Sequence, residues 1–143
     1  MLEHRVLLVD DEEDFVTYLA QRMKSRGVIV ETANSGQEAL EKAGNRNYDV
    51  VLLDLKMPGL DGIETLKRLK ELDSELQIII LTGYGTVRTT VEALKLGAID
   101  FLEKPADIRE IMSIVRDAGS KKEQLAKERV ADEIKDILGK KGW

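Results

Sequence analysis

Short apolar runs and helix-spaced apolar stripes alternate five times along this chain. Arg5–Val9 reads as a strand, and Glu12–Arg26 as a helix with Phe15, Val16, Leu19, Ala20 and Met23 on one face and Gly27 as its stop. Val28–Thr32 is a second strand. Ser35-Gly36-Gln37-Glu38 has the form of a capping box and opens a helix to about Gly44. Asp49–Leu53 is the third strand, and Asp61 caps a helix carrying Ile63, Leu66, Leu69 and Leu72. Gln77–Thr82 is the fourth strand, followed by a helix over Thr86–Leu96 that Gly97 closes. Ile99–Glu103 is the fifth strand, and Asp107 caps a helix with Ile108, Ile111, Met112, Ile114 and Val115.

This alternation predicts an α/β fold, a doubly wound five-stranded parallel sheet with helices on both faces. The third and fourth strands are almost wholly apolar, as central strands are, and Val28–Thr32 is mixed, as an edge strand is. The predicted order is therefore 2-1-3-4-5, the flavodoxin-like arrangement, whose switch point lies between strands 1 and 3. Residues 121–143 differ in texture and are set apart from a domain over 1–120. Leu125, Val130, Ile134, Ile137 and Leu138 make an additional C-terminal helix, supported by Glu123→Lys127 and Asp136→Lys140 and ended by Gly139. Gly119-Ser120-Lys121-Lys122 either breaks the preceding helix or is absorbed into it.

The composition removes several chemistries. The 143 residues contain no cysteine and one histidine, His4. Thiol catalysis, thiolate metal sites, histidine clusters and Ser-His catalysis are thereby excluded. The net charge of −5 gives no footprint for nucleic acid. Residues 1–118 carry net −7 and residues 119–143 net +2. No apolar run reaches membrane-spanning length and no signal-peptide pattern opens the chain, so a cytoplasmic protein is expected.

The strand ends carry the candidate chemistry. Asp10 and Asp11 follow the first strand, Asp54 the third, Thr82 ends the fourth, and Lys104 follows the fifth. Each alone has an ordinary explanation: acids at a helix N-terminus, a turn residue, a strand threonine, a solvated lysine. Together, at one edge of a parallel sheet, they bring three carboxylates, a hydroxyl and an ammonium to the place where open α/β folds bind ligands. Mg2+ takes one or two carboxylates plus phosphate oxygens and water. A cation would also relieve the repulsion among the three acids. Asp54 would then be a nucleophile forming an aspartyl phosphate, with Lys104 and Thr82 on the phosphoryl oxygens. Gly83 and Gly85 leave room for that group.

The segments VLLVDDE, VVLLDLKMPGLDG, IIILTGYG and GAIDFLEKP resemble the receiver domain of two-component response regulators, over roughly residues 4–118. The resemblance implies that Asp54 is the phosphoacceptor. Asp10 and Asp11 would bind Mg2+ with Asp54 and the Lys56 backbone carbonyl, Asp11 being the more direct ligand. Thr82 and Phe101 would be the switch pair, although Phe101 lacks a hydroxyl and its two states would differ by packing alone. The Lys104-Pro105 bond is expected to be cis. Lys56 and Tyr84 flank the approach of water to the phosphoryl group, and neither suits the orientation of an attacking water, so slow self-hydrolysis is expected.

The function so implied is a phosphorylation-dependent switch, charged by a histidine kinase or phosphotransfer protein and not an enzyme in the ordinary sense. Its output would pass through the 86–118 face to a homodimer partner or an effector protein, with no direct contact to nucleic acid or membrane. Two alternatives stand beside it. A Mg2+-dependent phosphohydrolase needs a second carboxylate as general acid and a lid; residue 56 is Lys and no segment is long enough for a lid. An interaction module that never uses the site would leave the acid set without purpose. The tail has three readings: the start of a linker, a helix packed on its own domain, or a helix for a dimer or partner.

Overall fold

The structure is a computed structural model that describes residues 4–56, 61–83 and 87–140. Its sheet has the order β2-β1-β3-β4-β5. The strands are β1 (Arg5–Val9), β2 (Ile29–Ala33), β3 (Val50–Leu53), β4 (Gln77–Thr82) and β5 (Asp100–Glu103), and every pairing is parallel. The helices α1 (Glu13–Lys24), α2 (Gly36–Asn45), α3 (Gly62–Leu72), α4 (Val87–Lys95) and α5 (Ile108–Lys140) alternate with them. The expected flavodoxin-like topology is thus the observed one. Strand β2 begins and ends one residue later than expected, because Val28 closes the turn after α1 by donating to the Met23 carbonyl.

Alternating side chains of the strands build two cores. Val6, Leu8, Val50, Leu52, Ile79 and Leu81 face α1 and α5. Leu7, Val9, Val51, Leu53, Ile78 and Ile80 form the other core, with Leu66 and Leu69 of α3 and Ala93 of α4. Strands β3 and β4 are buried at every position, while β2 and β5 are mixed. The apolar gradient across the strands is therefore the gradient from centre to edge.

Local signals set the helix entries. Ser35 Oγ accepts from the Glu38 amide, and Glu38 returns the bond to the Asn34 amide, one residue upstream of the box's usual target. Asp61 accepts from the Glu64 amide at 2.8 Å. Gly62 opens α3 where a Cβ would stand 2.4 Å from the Leu55 Cα, so only glycine lets the two backbones approach.

The last helix departs from expectation. It runs unbroken from Ile108 to Lys140, through Gly119 and through Gly139, which was expected to end it. Gly119 is a contact point: a Cβ there would stand 2.4 Å from the His4 Nδ1. Beyond Ala118, two ion pairs and a hydrogen bond tie the helix to the N-terminal edge of the sheet. His4 meets Glu123 at 2.9 Å, Lys122 meets Asp73, and Arg129 meets Glu75 at 3.2 Å. Val130, Ile134 and Ile137 lie about 80° to 140° round the helix from Arg129 and are exposed.

Candidate functional site

The sheet register brings the strand ends together. Leu53 pairs with Val9 and Ile80, and Thr82 pairs with Glu103. Each ladder continues one residue further: the Asp54 amide donates to Val9, the Asp10 amide to Ala33 and the Lys104 amide to Thr82. Backbone hydrogen bonds thus place Asp10, Asp54 and Lys104 at adjacent points on one rim.

Asp10 is fully buried and Asp54 nearly so. One oxygen of each accepts a local amide, Asp10 from Glu12 and Asp54 from Lys56, both at 3.0 Å. The other oxygens face Lys104. Its Nζ lies 2.5 Å from Asp10 Oδ2, 3.1 Å from Glu12 Oε1 and 3.7 Å from Asp54 Oδ2. Lys104 precedes Pro105 through a cis peptide bond, as the resemblance implied. The Lys104 ammonium also sits over the Phe15 ring, 4.4 Å from its centroid.

Three carboxylates around one ammonium leave an excess of negative charge. Burial, joined by the negative charge of Asp10, pushes the Asp54 carboxyl up to about 6, against the opposing Lys56 amide and Lys104 ammonium. Burial pulls the Lys104 ammonium down. Its hydrogen bond to Asp10, the charge of Asp54 and the bond to Glu12 outweigh that and hold it above its ordinary value. Thr82 is buried, and its Oγ1 has no hydrogen-bond partner among the described residues. A buried hydroxyl without a partner costs free energy, so the rim is shaped for an acceptor that a ligand would bring.

A divalent cation fits this donor set. One oxygen from each of Asp10, Glu12 and Asp54 lies within 4.8 Å of the others, and hard oxygen donors suit Mg2+. Glu12 is the member that sequence reasoning passed over. It was read as one of a run of acids at a helix start, and only the fold shows it turned toward Lys104. Asp11 is exposed and lies outside this cluster. Phe101 lies on the edge strand and is 41% exposed, in the outward position of a residue that has not packed. Met57, Pro58 and Gly59 of the expected turn, and Tyr84 and Gly85 beyond Thr82, lie outside the described residues.

A buried acid pair at the ends of β1 and β3, a lysine after β5 and a threonine at the end of β4 thus share one rim of a 2-1-3-4-5 sheet. The chain belongs to the response regulator receiver domain family, whose model matches residues 6–116. Among curated proteins it is 42% identical over 113 residues to the transcriptional regulatory protein ZraR of Escherichia coli O157:H7, covering 79% of this chain and 26% of that protein. It thus spans about a quarter of that relative's length. Among solved structures it is similar to a CheY-like receiver domain protein from Methanospirillum hungatei JF-1. The TM-score is 0.82 at 28% identity, over 86% of this chain and 98% of that one. It is also similar to a response regulator protein from Burkholderia pseudomallei with a phosphorylated aspartic acid, calcium ion and citrate. There the TM-score is 0.76 at 29% identity, over 98% of this chain and 86% of that one.

Proposed function

We propose that this domain is a phosphorylation-dependent signalling switch whose phosphoacceptor is Asp54. The observation that carries the reading is the rim itself: a nearly buried Asp54 with its carboxyl raised to about 6, beside a buried Asp10, a caged Lys104 and a Thr82 hydroxyl with no partner among the described residues. Mg2+ held by Asp10, Asp11, Asp54 and the Lys56 carbonyl would supply charge neutralisation for phosphoryl transfer. The ionised Asp54 oxygen attacks phosphorus of a phosphohistidine on a histidine kinase or phosphotransfer protein. The new O–P bond forms as the P–N bond breaks, and the donor histidine keeps the electron pair and takes up a proton. Lys104 pairs with one phosphoryl oxygen and Thr82 donates to another, which satisfies its buried hydroxyl. Moving Thr82 toward the phosphoryl group opens space for Phe101 to leave its exposed position.

The domain is a signalling module that promotes its own phosphotransfer and hydrolysis and does not turn over a separate substrate. Its output surface is the 86–118 face, where Val87, Val91, Ile99 and Phe101 are exposed, and its partner there is a second copy or an effector protein. In this reading residues 1–120 are the receiver unit and 121–143 a C-terminal helical extension or linker, whose described part continues α5 to Lys140. A cytoplasmic setting belongs to the same reading; no helix among the described residues is long and apolar enough to cross a membrane. The test is incubation with acetyl phosphate and Mg2+, read by intact mass. One phosphoryl group should add to the wild-type chain and none to Asp54→Asn or to the wild type in excess chelator. Equal incorporation by Asp54→Asn would overturn the assignment.

A further inference from the structure

Among the described residues, the Lys104 ammonium meets three carboxylates, Asp10, Glu12 and Asp54, and one further group. Those three are also the groups that converge closely enough to hold a cation. Any cation that takes them takes them from the ammonium. The fourth contact is the face of Phe15, 4.4 Å from Nζ, and an aromatic ring does not compete for a hard divalent ion. Phe15 follows Glu12 by three residues, so the start of α1 presents ring and carboxylate on the same side. The ring is itself anchored, packed against the core that α1 and α5 share. Lys104 is only 12% exposed, so solvent offers its ammonium little alternative.

We infer that Phe15 is a positioning residue for Lys104. Its ring is the platform that keeps the ammonium at the rim while the carboxylates change hands. Nζ lies 2.5 Å from Asp10 and 3.7 Å from Asp54, so pairing with a phosphoryl oxygen carried by Asp54 means a shift of its shortest contact away from Asp10. A carboxylate partner resists that shift, because its hydrogen bond is directional and short. A ring face attracts a cation over an area and lets it slide. Without the ring, the long lysine side chain would recover its rotamer freedom whenever a cation occupied Asp10.

This inference rests on the proposed phosphoacceptor role of Asp54, and two readouts keep it separable. The first uses Mg2+ alone. Proton NMR of the Lys104 ε-methylene should show an upfield ring-current shift in wild type that persists when Mg2+ is added, and that Phe15→Leu abolishes. Loss of the shift on adding Mg2+ to wild type would overturn the inference, whatever Asp54 does. The second is the rate of phosphoryl incorporation from acetyl phosphate. Phe15→Leu keeps apolar volume without the quadrupole and should slow it about five- to twenty-fold. Phe15→Tyr, which restores a ring face, should rescue it. In a Lys104→Ala background, Phe15→Leu should add nothing. The same slowing with and without Lys104 would make Phe15 a packing residue only. If wild type itself takes no phosphoryl group on Asp54, the functional reading fails and the NMR result still decides the role of Phe15.

Discussion

The two ends of the same sheet handle charge in opposite ways. At the N-terminal edge each acid has its own cation or donor: Asp73 with Lys122, Glu75 with Arg129, Glu123 with His4, and Asp49 with the Arg5 amide. These groups are half-exposed, and solvent shares the work. At the C-terminal edge three carboxylates share one ammonium, two of them are buried, and a buried hydroxyl has no partner among the described residues. The same parallel strands serve both ends. The difference is that one end is electrostatically matched and the other carries an excess of buried negative charge. Unresolved charge in a buried place is a pattern that functional sites share.

The largest expected effect removes the conflict at its centre. Asp54→Asn should abolish phosphoryl incorporation and should also stabilise the metal-free fold at neutral pH. The Asp54 carboxyl is raised from 3.8 to about 6 by folding. A group raised in this way contributes stability that is fully present below its unfolded value of 3.8 and is lost as pH rises through 6. Metal-free wild type should therefore lose about 2 kcal/mol between pH 4 and pH 7 relative to Asp54→Asn, after allowance for screening at an open rim. Urea unfolding of both chains in chelator at a series of pH values measures it. Parallel pH profiles would mean that the Asp54 charge is not under strain.

A smaller effect sharpens which acids hold the cation. The resemblance makes Asp11 the more direct ligand, whereas the geometry groups Glu12 with Asp10 and Asp54. Asp11 is exposed next to Asp10. Glu12 is engaged by Lys104. Asp11→Ala should abolish measurable Mg2+ binding, and Glu12→Gln should weaken it about tenfold. Titration calorimetry ranks the two, and a larger loss in Glu12→Gln would move the ligand role to Glu12.

Much of this contrast was legible in the sequence, and the reasons are specific. Val50-Val51-Leu52-Leu53 and Ile78-Ile79-Ile80-Leu81 admit only central strands, and that sets the sheet order. Because every strand is parallel, residues just past strand ends must share a rim, so Asp10, Asp54, Thr82 and Lys104 were brought together without a structure. Glu12 and Phe15 were not legible as rim residues. Their direction depends on where α1 leaves β1, and periodicity alone gives Phe15 to the core. Gly119 left two readings open for a related reason, and the absorbed one is observed. Glycine inside a helical pattern reads as a weak point, whereas here it admits the His4 ring, a contact between residues 115 positions apart that no local pattern encodes.

The smallest expected effect lies at the matched end. Asp73→Asn keeps the oxygen that accepts the Glu75 amide at 3.0 Å, so the turn after α3 survives, and removes only the charge facing Lys122. Both partners are partly exposed, and such pairs contribute little, so the loss in global stability should be about 1 kcal/mol or less. The local consequence should be larger than the global one. Lys122 and Arg129 through ion pairs, and Glu123 through its hydrogen bond with His4, tie the second half of α5 to the sheet edge, and beyond them the described part of the helix is exposed. An exposed helix without tertiary support is marginal in water. Amide exchange over residues 119–135 should therefore speed up in Asp73→Asn, and further in Asp73→Asn with Glu75→Gln, while exchange in β3 and β4 stays the same. Phosphoryl incorporation should be unchanged in both variants, since they touch only the edge of the sheet where charge is already matched. If exchange in the tail does not respond, the Asp73–Lys122 and Glu75–Arg129 pairs do not hold it.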